Sequence, residues 1–121
     1  MNEVLVWRPE RSGDDPGAVT RVLTEAFVAA REALEAARPV VVVLAAGDLL
    51  GQGDPLDAAI ATGLLGMVRT LGIEGAKPGW RINVVAVADA DPAPTVAMLA
   101  DSELTGQLLQ VGGANLGKVP A

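Results

Sequence analysis

The sequence predicts an α/β domain: a four-stranded parallel sheet, its strands in chain order, flanked by helices. Three observations carry that reading. Residues 40–45 (VVVVLA) and 81–87 (RINVVAV) are short, almost wholly apolar and rich in β-branched side chains, as strands covered on both faces are. The strands are separated by helical stretches too long for hairpin links, so neighbouring strands are expected to run parallel through right-handed crossovers. The 121 residues suffice for one core and not for two.

The elements follow in order. Residues 3–7 (EVLVW) predict a short strand, and 8–16 (RPERSGDDP) a polar, turn-rich loop. Asp14 or Asp15 can cap the next helix, with Pro16 at its first turn. Residues 17–37 predict an amphipathic helix: Val19, Val22, Leu23, Ala26, Phe27, Ala30 and Leu34 recur at i, i+3, i+4. Pro39 ends it, and the strand at 40–45 begins. Residues 47–53 (GDLLGQG) read as a loop. Asp54 is a good N-cap, Pro55 suits the first helical position, and Asp57 lies favourably in the first turn. That long helix stops at Gly75 and the Pro78-Gly79 pair, before the strand at 81–87. A loop at 89–94 (DADPAP), a short helix from Thr95 and a strand at 107–111 (QLLQV) complete the order.

Composition narrows the chemistry. There is no His, Cys or Tyr, so disulfides, thiolate or histidine metal sites and Ser-His or Cys-His devices are excluded. Any general acid or base is Asp, Glu or Lys. The net charge of −6 comes with basic residues that form no cluster, so neither nucleic acid nor an anionic membrane is an expected partner. No apolar run in the sequence reaches the roughly 18 to 20 residues that span a bilayer. The first residues lack a signal peptide's basic start and cleavage site, so a cytoplasmic location is expected.

Several local patterns invite functional readings. Residues 112–119 (GGANLGKV) fall one residue short of a phosphate loop, but Val119 stands where a hydroxyl is required, and the helix such a loop needs is not expected after it. Gly51 and Gly53 lack the third glycine of a dinucleotide turn. Asp48, Asp54 and Asp57 gather near one strand end, where α/β sheets bind ligands. They have the composition of a paired-carboxylate or magnesium site; capping explains Asp54 and Asp57, and a turn explains Asp48, without one. Gly63 and Gly66 cost the long helix about 1 kcal/mol each against alanine. They imply close approach by a neighbour, either this chain's own sheet or another subunit's helix.

Residues 66–87 and 104–113 carry a family pattern. Gly66, Arg69, Leu71, Glu74, Pro78 and Arg81-Ile82-Asn83-Val84 match, in register, the block G-L-T-R-S-L-A-x-E-L, a turn, then R-V-N. LTGQLLQVGG matches a final strand of the form T-G-Q-x-[IL]-x-V-D-G-G, with the Asp skipped. On these residues the chain resembles the C-terminal half of a short-chain dehydrogenase/reductase, and is expected to be a single truncated domain over 1–121 with a half-Rossmann sheet. The resemblance implies where chemistry would lie. The catalytic tyrosine falls on Asp57, the lysine on Ala61, and the serine on Leu44 or Ala45. The family's two assisting asparagines fall near Trp7 or Arg8 and near Val22. None of these roles transfers, and the glycine-rich cofactor half is missing, so no cofactor and no catalytic residue is expected in this chain. What is retained is the family's assembly half. The expected interface residues are Val19, Phe27, Ala59, Gly63, Gly66, Met67 and Leu108, with residues 4–7 as a further edge to be covered by another chain.

The resemblance therefore implies a non-catalytic subunit, assembling with itself or with a full-length, active short-chain dehydrogenase. Two alternatives stand beside it. The chain can complete a partner's NAD(P)-dependent active site of ketoreductase type, or act as a small enzyme through Asp48, Asp54 and Asp57.

Overall fold

The valines at 40–43 divide between two sheet faces. In the computed structural model, which describes residues 3–113, four strands form one sheet: β1 (Leu5–Trp7), β2 (Val40–Ala45), β3 (Ile82–Ala88) and β4 (Leu108–Gly112). Their order is β1-β2-β3-β4 and every neighbouring pair is parallel. The register sets Val40 beside Ile82 and Val84 beside Leu108. Because strand side chains alternate, Val40, Val42, Leu44, Ile82 and Val84 point to one face and Val41, Val43 and Val85 to the other. The first face is covered by two long helices, α1 (Gly17–Glu35) and α3 (Pro55–Glu74), which bury Val22, Ala26, Ala30, Leu34, Ile60, Leu64, Val68 and Leu71 there. The second face is covered by α4 (Ala93–Ala100) through Val96 and Leu99.

This arrangement corrects the expectation of uniformly right-handed crossovers. All three connections advance in the same direction across the sheet, yet α1 and α3 lie on one face and α4 on the other. The β3-α4-β4 connection therefore has the opposite hand to the first two, against the strong general preference. Three side chains, Asn83, Arg81 and Thr105, stitch it down with five hydrogen bonds. Asn83 is buried in β3, donates through Nδ2 to the Leu104 carbonyl at 2.8 Å, and accepts from the Gln107 N–H at 3.1 Å. Arg81 donates to the Ala100 and Ser102 carbonyls, at 3.1 and 2.6 Å. The Ile82 N–H donates to Thr105 Oγ1 at 3.1 Å.

The helix starts follow from the sequence. Asp54 accepts from the Leu56 N–H at 2.7 Å and Pro55 opens α3. Before α1, the Asp15 side chain accepts from the Gly17 N–H at 2.9 Å and its carbonyl from the Ala18 N–H at 3.0 Å. At the far end of α1 the Ala37 N–H donates to Leu34 and the Arg38 N–H to Ala33, both at 2.9 Å. This is a Schellman ending, with Ala37 at φ 60° in the place glycine usually takes.

Three sequence expectations need correction. Residues 47–53 are not wholly loop: Ala46–Leu49 makes a single helical turn, α2. It has no side-chain cap, so no sequence signal marked it. The last helix begins two residues earlier than expected, at Ala93, after the Asp91 side chain accepts from its N–H at 3.0 Å. Finally, α3 is long and apolar enough by composition to cross a membrane, contrary to the sequence expectation. Here it is a core helix that lays Ile60, Ala61, Leu64, Val68 and Leu71 onto the sheet. The phosphate-loop-like stretch at 112–119 lies mostly outside the described residues.

Candidate functional site at the carboxyl ends of the strands

In a parallel α/β sheet, ligand chemistry gathers beyond the carboxyl ends of the strands. Here that end collects the loop after β1, the turn α2 after β2, and the first turn of α3. The three acidic residues singled out in the sequence have separate tasks there. Asp54 is the N-cap of α3. Asp48, from α2, and Asp57, from α3, converge on one guanidinium. Arg11 Nη1 lies 2.6 Å from Asp48 Oδ2, and Arg11 Nη2 lies 2.9 Å from Asp57 Oδ2 and 3.2 Å from Asp48 Oδ1. The Ser12 N–H donates to Asp57 Oδ1 at 2.7 Å, so both oxygens of Asp57 are engaged.

The electrostatics are those of a clamp. The two carboxylate side chains are 9% and 7% exposed, while Arg11 is 61% exposed and roofs them. Two carboxylates taken this far out of water need a cation, and the planar guanidinium can serve both. The Asp48 hydrogen bond raises the Arg11 pKa above its ordinary value; burial opposes this, and the charges of Asp48, Asp57 and Asp54 add to it. The two carboxylates thus favour the charged form of Arg11. Among the described residues no three His, Cys, Asp or Glu side chains are placed to hold a metal ion.

Beside the clamp is an open hollow of about 310 Å³, lined by Arg8, Pro9, Arg11, Val43, Leu44, Ala45, Asp48 and Val87. Ala45, one of the two positions matched to a catalytic serine, is exposed at its wall; Leu44, the other, is buried. Ala61, matched to the lysine, is 1% exposed within the core beneath α3. Two larger hollows, of about 360 and 420 Å³, lie at the opposite end of the sheet around Trp80 and Arg81. Trp80 is a packing residue there. Arg31 stands 5.6 Å from its ring centroid, and a Cβ on Gly75 would lie 2.5–2.8 Å from Trp80 Cβ, Cγ and Cε3. Gly75 is needed for that close approach, not for an unusual φ.

The residues expected at an interface lie in three kinds of surroundings. Val19, Met67 and Leu108 are half-buried against the chain's own core. Phe27, Ala59 and Gly66 are exposed. Gly63 faces α1: a Cβ there would meet Leu23 Cδ1 at 2.9 Å. Its close neighbour within this chain is therefore the helix α1, not the sheet. A Cβ on Gly66 would meet nothing within 4 Å.

Sequence reasoning missed Arg11 and Ser12. The available signal was indirect: Asp48 and Asp57 are predicted beside each other at a sheet end, and such a pair calls for a cation from the polar loop that faces it.

No family model matches the chain, and no curated protein matches it. Solved structures do. An Agrobacterium tumefaciens protein assigned as a gluconate dehydrogenase superposes with a TM-score of 0.75 at 17% identity, over 96% of this chain and 66% of that one. The acetoin dehydrogenase of Enterobacter cloacae gives 0.66 at 22% identity, over 98% and 67%. A citronellol catabolism dehydrogenase of Pseudomonas aeruginosa gives 0.65 at 20% identity, over 92% and 60%. The likeness shows the fold, a dehydrogenase-like Rossmann arrangement, and the matches extend over about two thirds or less of the neighbours' own length.

Proposed function

We propose that this chain is a non-catalytic, dehydrogenase-like subunit that acts by assembly, with a second copy or with a full-length, active short-chain dehydrogenase that it stabilises or regulates. One observation carries the reading: the two positions matched to the family's proton-transferring pair are committed elsewhere. Asp57 has both oxygens tied to Arg11 and Ser12, and Ala61 is sealed in the core. A carboxylate held this way does not replace a phenol activated by a neighbouring lysine. The acidic-enzyme reading loses support for the same reason, since Asp48 shares the clamp and Asp54 caps α3.

The assembly part is supported by the exposed apolar groups on the helical face. Phe27 and Val28 on α1 are 42% and 57% exposed, and Ile73 on α3 is 79% exposed. A Cβ on Gly66 of α3 would meet nothing within 4 Å among the described residues, although helix-interior glycine is costly. A second reading, completion of a partner's active site, is favoured by the open hollow at the strand ends, which could receive a partner's loop.

Two measurements test the proposal. Light scattering on the purified chain, alone and after co-expression with native-source dehydrogenases, is expected to show an assembly; a stable monomer that captures no dehydrogenase would remove the reading. Nicotinamide dinucleotides are expected to leave the melting temperature of the isolated chain unchanged. A saturable rise would mean a working cofactor site.

A further inference from the structure

We propose that residues 8–16 form a latched strap, which opens as a unit over the carboxyl ends of β2 and β3 and controls entry to the hollow they share. This stands independently of the assembly reading. The strap joins β1 to α1, and Arg8, Pro9 and Arg11 form one wall of the hollow, with Val43, Leu44, Ala45 and Val87 opposite or beneath. What holds it to α2 and α3 is concentrated in two adjacent residues: the Arg11 ion pairs to Asp48 and Asp57, and the Ser12 N–H on Asp57. At the end near α1, Gly13 (φ 54°) and Asp14 (φ 62°) are two consecutive left-handed residues, a sharp turn at the base of the strap. Residues 13–17 are exposed.

Two features make opening accessible rather than prohibitive. The guanidinium that pairs with Asp48 and Asp57 belongs to a side chain that is itself mostly exposed, so it can leave the pair directly into water. Closure also leaves a cost in place: Ser12 is buried, and its Oγ has no hydrogen-bond partner among the described residues. Opening hydrates that hydroxyl. The charged and titratable groups facing Arg11 from the packed elements are Asp48 on α2, Asp57 in α3 and Asp54 at its cap, so the latch is an ion-pair device and weakens with salt.

Trypsin can cut the Arg11–Ser12 bond only when Arg11 leaves both carboxylates. In the full chain under native conditions, this cut is expected before any within α3, such as Arg69–Thr70. Asp57→Asn is expected to speed it about tenfold or more, the effect of weakening a charge-assisted bond. Access to the hollow is read separately. The chain has no cysteine, so the thiol of Val43→Cys, at a buried hollow-lining position, reports entry through its reaction with a disulfide reagent. That rate is expected to rise with 1 M sodium chloride, and further with Asp57→Asn. Should Asp57→Asn fail to fold, the salt series on Val43→Cys and on wild-type Ser12 amide exchange decides the matter. A cut at Arg11–Ser12 no faster than at Arg69–Thr70, or thiol and amide rates indifferent to salt, would overturn the strap.

Discussion

Replacing Gly66 by alanine separates what this helix does alone from what it does in company. Gly66 lies in the middle of α3, and a Cβ placed there meets nothing within 4 Å. In the isolated chain the substitution therefore carries only the helix-propensity gain and the reduced freedom of the unfolded chain. Together these are worth about 1 kcal/mol, or about 4 °C in melting temperature for a domain of this size. If another chain's backbone packs closely over Gly66, as the assembly reading requires, the new methyl group falls in that contact and weakens it by about 1–3 kcal/mol. The assay is urea unfolding at low protein concentration, paired with light scattering across a concentration series. The expected result is a more stable protomer and a looser assembly. A variant no more stable than wild type would refute the open-face geometry. A more stable variant with unchanged association would refute the use of this face.

Four further outcomes follow from the same structure. Gly112→Ala is expected to abolish folding, because Gly112 has φ 103° and an added Cβ would overlap the Ala88 carbonyl; circular dichroism of the expressed variant checks this. Ala37→Gly should stabilise the chain by about 1 kcal/mol by relieving the left-handed alanine at the end of α1, read by thermal melting. Asn83→Leu should cost about 2–4 kcal/mol in urea unfolding, since the Leu104 carbonyl and Gln107 N–H both lose their partner. Arg11→Met should cost about 1–3 kcal/mol, less than a fully buried pair because Arg11 is mostly exposed. The raised Arg11 pKa fixes the alkaline side of that effect. A cation whose pKa is raised on folding stabilises below its unfolded value and loses the effect only above its folded one, so wild-type stability should not fall between pH 7 and 10 on account of this clamp.

Much of the fold was legible because each local signal agreed with its neighbours. The four valines and Leu44 could only be a buried strand, and β2 occupies the residues the sequence predicted. Asp54 and Pro55 marked the start of α3 because capping is a local matter. The site was less legible because its bonds join residues far apart. Arg11 finds Asp48 across 37 positions, and no periodicity reports that. The family-like residues Arg81, Asn83, Thr105 and Gly106 were visible as a pattern, but their work was not. They fasten β3 to the segment before β4, and Gly72 and Gly106 let α3 approach that segment, a Cβ on Gly72 lying 2.9 Å from Gly106 Cα. The hand of the last crossover was illegible for a different reason: the sequence contains nothing that outweighs a near-universal rule.

That reversed connection has a consequence for how few parts a covered sheet needs. Three crossovers of one hand, marching in one direction, would wind every helix onto the same side and leave Val41, Val43 and Val85 facing water. Burying such side chains is worth about 1.5–3 kcal/mol each, enough to repay an unfavourable turn of the chain once. By spending its last connection on the other side, this chain obtains a three-layer sandwich from four strands. It also makes the final strand and helix a single fastening: loosening Asn83 or Arg81 would release a layer, not a loop.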